Sequence, residues 1–165
     1  DMLGPNQKGL YPYTPAITLM YGLEEALNML KEEGLDNVFA RHAKLASGVR
    51  AAVSAWGLEN QCREAKYYSN AVTSIRMPEG HSADQFRKLV LENFNMSLGA
   101  GLTKVADKVF RIGHLGDTNE LTIIGALGGV EMGLEMAGVP HQAGGVDAAM
   151  AEFRRWTRVD QAAAA

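Results

Sequence analysis

At 165 residues, 47% hydrophobic and 21% charged, the chain has the composition of a soluble globular domain with enough apolar residues for its own core. A formal charge of −3 leaves no basic surplus for general nucleic-acid or anionic-membrane binding. Cys62 is the only cysteine, which excludes an internal disulfide and fits a reducing compartment.

Residues 1–14 read as an extended arm, rich in Gly and Pro and without periodicity, in which Tyr11 and Tyr13 flank Pro12. Thr14-Pro15 then predicts a helix start, with Thr as N-cap and Pro at the first helical position. The helix carries Ile17, Met20, Tyr21, Glu24, Leu27 and Leu30 and stops near Gly34. Asp36 caps a second helix with Val38, Leu45, Val49, Val53 and Trp56 on one side, ended by Gly57.

Residues 58–70 are polar and carry only a faint strand signal. Ala71 to Met77 alternates as a strand and ends at Pro78. Ser82-Ala83-Asp84-Gln85 is a capping box opening a helix through Phe86, Leu89, Val90 and Phe94. A brief strand is expected at 95–98, and Gly99 to Leu102 reads as a loop. Val109 to Ile112 is a strand of β-branched and aromatic residues around one Arg, broken at Gly113 and Gly116.

Asp117-Thr118-Asn119-Glu120 reads as another cap, with Asp117 as N-cap of a helix carrying Leu121, Ile124, Leu127, Val130 and Leu134. Gly125, Gly129 and Gly133 recur on one face of it, which calls for close packing against a neighbour to offset their poor helix propensity. A last helix is expected at 146–156, with a frayed tail at 159–165. These elements predict a two-layer α+β unit with a small, mostly antiparallel sheet. The expected division is an arm at 1–14, a domain at 15–158 and the tail.

Five candidate sites need weighing. The histidines at 42, 81, 114 and 141 lack metal-ligand spacing, so no metal is expected. Neither a P-loop nor a nucleophile elbow occurs, and Cys62 has no basic helix terminus beside it in sequence. The turn at 99–102 either faces a phosphate or is a plain turn, and His114 either touches a substrate or packs. Arg111 inside an apolar strand needs its charge met. It either pairs with a structural Asp or Glu, or grips a carboxylate bidentately.

The words VFRIGHLGD and NELTIIGALGGVEMGLEMAGVPHQAGG closely resemble the C-terminal region of class V aminotransferases, in particular the serine–glyoxylate and alanine–glyoxylate group. The resemblance runs from about Met2 to about Trp156. It implies the small C-terminal domain of a fold-type-I pyridoxal-phosphate enzyme, preceded by an arm and a long linking helix. In that family the Arg of the RIG word, here Arg111, binds the substrate α-carboxylate. The Tyr-x-x-Thr of the arm, here Tyr11 and Thr14, hydrogen-bonds the cofactor phosphate of the neighbouring subunit of a homodimer.

The resemblance also places the cofactor-holding lysine and most of the pyridoxal 5′-phosphate site upstream, in an N-terminal cofactor domain. Lys8 lies in the arm and does not match the lysine position. This chain is therefore expected to hold no catalytic residue and to be inactive alone. The intact protein is expected to be a cytoplasmic homodimer moving an amino group from serine, or a similar amino acid, to glyoxylate. No membrane is expected as a partner, since no apolar run spans a bilayer and the start shows no secretory pattern. The alternative is a non-catalytic α+β module that binds a carboxylate.

Overall fold

The computed structural model describes residues 2–163, with side chains as far as Trp156. The chain forms two compact units, Asp1–Phe39 and Ala40–Ala165.

In the first unit the arm contains a short helix, α1 (Leu3–Gln7), where the sequence reads as a loop. Helix α2 spans Ile17–Glu33, and Gly34 ends it with a left-handed φ of 83°, as expected. The start differs. Ala16, not Thr14, is the N-cap, and no side chain caps the helix. Ala16 has φ −77° and ψ 73°, outside the helical region, so the helix cannot begin at Pro15. No residue of α2 is buried, although it carries Leu19, Met20, Leu23 and Leu27. Helix α3 (Leu35–Ala55) begins directly after Gly34 and runs on into the second unit.

The second unit holds the sheet. Its strands are β1 (Glu59–Asn60), β2 (Val72–Arg76), β3 (Gly99–Ala100) and β4 (Val109–Gly113), in the order β1-β2-β4-β3 and antiparallel throughout. Helices α4 (Ala83–Phe94), α5 (Glu120–Met136) and α6 (Gly145–Ala163) complete it. Leu45, Val49 and Val53 of α3, Trp56 just after it, Phe86 and Val90 of α4, and Leu127, Val130 and Leu134 of α5 form one core with Ile75, Phe110 and Ile112 of the sheet. The rings of Phe86 and Phe110 meet at 4.8 Å between centroids, an edge-biased aromatic pair. This is the two-layer α+β arrangement the sequence predicts.

Register decides which residues escape that core. Ile75 pairs with Phe110, and Thr73 with Ile112, on the face packed against the helices. Side chains alternate along a strand, so Val72, Ser74, Val109 and Arg111 belong to the opposite face, where Val109 is itself buried and Arg111 half-buried. Ser74 on β2 and Gly99 on β3 both stand directly across from Arg111.

Local details confirm or shift the expected boundaries. Ser82 accepts from the Gln85 N–H, as the capping box requires. Gly129 and Gly133 do face close neighbours, Met96 in one case and Val90 with Phe86 in the other, whereas Gly125 faces open space. Strand β3 lies at 99–100, not 95–98, because its only definition is pairing with β4. The cap of α5 is Asn119, which accepts from the Thr122 N–H, not Asp117. Helix α6 continues past residue 156 to Ala163. The tail expected at 159–165 thus has backbone in this helix to Ala163, while its side chains and residues 164 and 165 lie outside the described residues.

Candidate functional site

Arg111 sits in the middle of β4 and is half-buried. Its guanidinium makes no ion pair or side-chain hydrogen bond among the described residues, and its Nε is buried without a partner. A desolvated donor on a permanent cation is costly to leave unmet. Of the two readings open from sequence, pairing with an internal carboxylate is therefore the one this geometry does not support. Asn60 Oδ1 is the other buried side-chain atom without a partner among the described residues. It borders a cavity of about 70 Å³ lined by Arg50, Tyr68, Ser69 and Thr73, room for water to reach it.

The strand beside Arg111 is built around it. A Cβ placed on Gly99 would lie 3.0 Å from both Cβ and Nε of Arg111 and 3.5 Å from Cζ. The side chain therefore lies across the Gly99 α-carbon. Two residues on, a Cβ at Gly101 would lie 2.0 Å from the Val105 carbonyl oxygen. The glycines read from sequence as a loop or phosphate turn are thus accounted for by close packing.

The loop leaving β4 is tied down from α3 and β2. Arg41 donates to the carbonyls of Gly116 and Thr118 at 2.8 and 3.0 Å. The Gly116 N–H donates to His42 Nε2 at 3.1 Å. His114 is buried, with Nδ1 2.9 Å from the Asn70 carbonyl oxygen and Nε2 2.9 Å from Thr73 Oγ1. A carbonyl only accepts, so Nδ1 carries the hydrogen and Nε2 of the neutral ring accepts from the Thr73 hydroxyl. Burial pushes the His114 pKa down, Arg50 and His42 push the same way, and the Asn70 bond opposes them without prevailing. His114 is a packing residue, one of the two readings left open.

Tyr11 and Thr14 belong to the first unit, and Arg111 to the second. Tyr11 is 63% exposed and Thr14 is exposed. Since Thr14 does not cap α2, its hydroxyl is not used in the way the helix-start reading requires. Both hydroxyls suit donation to an anionic group such as a phosphate. Cys62 is half-buried and its thiol lies 3.6 Å from the Glu64 carbonyl oxygen. Among the described residues no group of three or more His, Cys, Asp or Glu side chains is placed to hold a metal, and no helix is long and apolar enough to cross a membrane.

No family model matches the chain. It is similar to the serine–glyoxylate aminotransferase of Hyphomicrobium methylovorum, 51% identical over 153 residues, which cover 93% of this chain and 38% of that protein. It is 43% identical to the L-aspartate–glyoxylate aminotransferase of Paracoccus denitrificans over 166 residues, covering all of this chain and 42% of that protein. In three dimensions it resembles the pyridoxamine–pyruvate aminotransferase of Mesorhizobium loti, with a TM-score of 0.82 and 31% identity, covering 88% of this chain and 38% of that one. The chain thus spans about two fifths of the length of the curated relatives it matches.

Proposed function

The chain is related, as a C-terminal part, to the class V pyridoxal-phosphate aminotransferases of the serine–glyoxylate group, and from that relationship we propose that the intact protein transfers an amino group from serine, or a similar amino acid, to glyoxylate. Glyoxylate recurs in the names of the relatives that act with serine and with aspartate. The observation that carries the reading is Arg111: a fixed cation on the sheet face turned away from the main core, with no carboxylate paired to it among the described residues.

Both substrates of such a reaction present a carboxylate next to the reacting carbon. Arg111 binds that group through two parallel charge-assisted hydrogen bonds. A planar fork held by a strand fixes direction as well as distance, so the bonds at the reacting carbon are presented in one orientation. The same residue serves donor and acceptor in turn, because the carboxylate is common to both. Bound pyridoxal phosphate supplies the electron-withdrawing ring on which amino transfer depends. Tyr11 and Thr14 donate their hydroxyl hydrogens to its phosphate, in the neighbouring subunit of a homodimer.

The lysine that holds the cofactor lies outside this chain, in an N-terminal cofactor domain, and the chain alone is inactive. Helix α2 supports this: all of its 17 residues, including several large apolar ones, are left unburied. A free-standing carboxylate-binding module has no use for such a helix, whereas a part of a larger dimeric enzyme covers it. The cytoplasm fits a chain with a single free cysteine.

Arg111→Ala in the intact protein tests the reading. The apparent KM for amino acid and oxo acid should both rise about 10- to 100-fold, the worth of charged hydrogen bonds, while cofactor absorbance is kept. Unchanged saturation for both substrates would remove Arg111 from the substrate site.

A further inference from the structure

We infer that Gly99 is a positioning residue for Arg111: the empty space over its α-carbon is the bed in which the guanidinium stem lies, and this sets where a substrate carboxylate is held. The inference rests on the substrate role proposed for Arg111. Three observations carry it. Gly99 and Arg111 are direct partners across β3 and β4. A Cβ on Gly99 would stand 3.0 Å from Arg111 Nε, tighter than ordinary contact. The backbone at Gly99 is not left-handed, so no conformational need for glycine exists there.

That last point separates two reasons for a glycine. Where φ is positive, a side chain strains the backbone. Where φ is ordinary, a strand prefers almost any other residue, and Val most of all. Gly99 therefore weakens its own strand, and the one close neighbour that gains is the Arg111 side chain. Filling the space pushes Nε and Cζ away from β3, and the fork moves with them. A displacement of a few tenths of an ångström suffices for Ala, and a larger one for Val.

The test uses the intact protein with Gly99→Ala, Gly99→Val, Arg111→Ala and the double variant Gly99→Val/Arg111→Ala. Readouts are the apparent KM for both substrates, the dissociation constant for glycolate by calorimetry, and the thermal midpoint. Glycolate is a carboxylate with no amino group to transfer. The KM values and the glycolate constant should rise about threefold for Ala and some tens of fold for Val. The thermal midpoint checks that each variant is folded, since Cβ of Arg111, also 3.0 Å away, has to give by a few tenths of an ångström. In the Arg111→Ala background the Val substitution should add nothing. Unchanged glycolate binding in Gly99→Val, with binding lost in Arg111→Ala, overturns the inference and leaves the Arg111 reading standing. An equal Val effect with and without Arg111 also overturns it. No effect of Arg111→Ala on either substrate or on glycolate overturns both.

Discussion

Trp56, the residue after α3, donates its indole N–H to Glu131 of α5 at 2.9 Å. The same carboxylate accepts the N–H of Gly144 at 2.7 Å and of Val146 at 3.2 Å. Glu131 thus caps the first turn of α6 from a different helix, where free N–H groups and the positive helix end favour an anion. The fit is close: a Cβ on Gly145 would lie 2.2 Å from the Trp56 nitrogen. One side chain ties three helices together.

Glu131→Gln should lower stability by about 1 kcal/mol at pH 7, because an amide accepts these N–H groups less well than a carboxylate. Burial raises the Glu131 pKa, but the bonds from Gly144, Trp56, Val146 and Gly145 together hold it below the usual carboxylate range. A lowered folded pKa gives stability that is complete above the unfolded value and lost as pH falls through the folded one. Urea midpoints of wild type and variant should therefore differ at pH 7 and converge in acid. A constant difference down to pH 3 would contradict the cap.

His114 is neutral in the folded chain and titrates normally once unfolded. Its lowered pKa means that stability is present above the ordinary histidine value and declines as pH drops from there toward the folded value. His114→Asn should cost about 1–3 kcal/mol at neutral pH by stranding Thr73 or Asn70. It should also flatten the pH slope of the denaturant midpoint as pH falls below the ordinary histidine value. Nitrogen NMR should find the ring in its Nδ1–H form below the usual titration range, and a normal titration would refute the assignment.

Two glycines of α5 should respond in opposite senses. Gly125→Ala meets nothing and should stabilise by roughly 0.5–1 kcal/mol through helix propensity. At Gly133 a new methyl would sit 2.6 Å from Val90 Cγ2, and overpacking there should cost about 1–3 kcal/mol. Thermal unfolding of the two variants compares them directly. Equal shifts would mean that packing against α4 is not what retains Gly133.

Tyr11→Phe with Thr14→Val removes both hydroxyls of the arm at almost constant shape. In the intact protein the pair should weaken cofactor retention by about tenfold or more, the worth of one to two charged hydrogen bonds. Titration of the cofactor-free protein with pyridoxal phosphate measures it. An unchanged dissociation constant would exclude these hydroxyls from the phosphate site.

Much of this protein is written within four residues of itself. The Ser82 cap, the stop at Gly34, the alternation of 72–76 and 109–113 and the apolar stripe of α3 are local patterns, because helix turns and strand pleats repeat over so short a distance. That is why the α+β class was legible. The cap of α5 was not, since Arg41 and His42, more than seventy residues away, hold the loop before it. Strand β3, two residues long, exists only through its partner. Sequence alone determined that Arg111 is a cation in an apolar strand. Only the tertiary structure decided that no carboxylate among the described residues reaches it and that Gly99 leaves it room, because what surrounds a side chain across a sheet is set by chain segments distant in sequence.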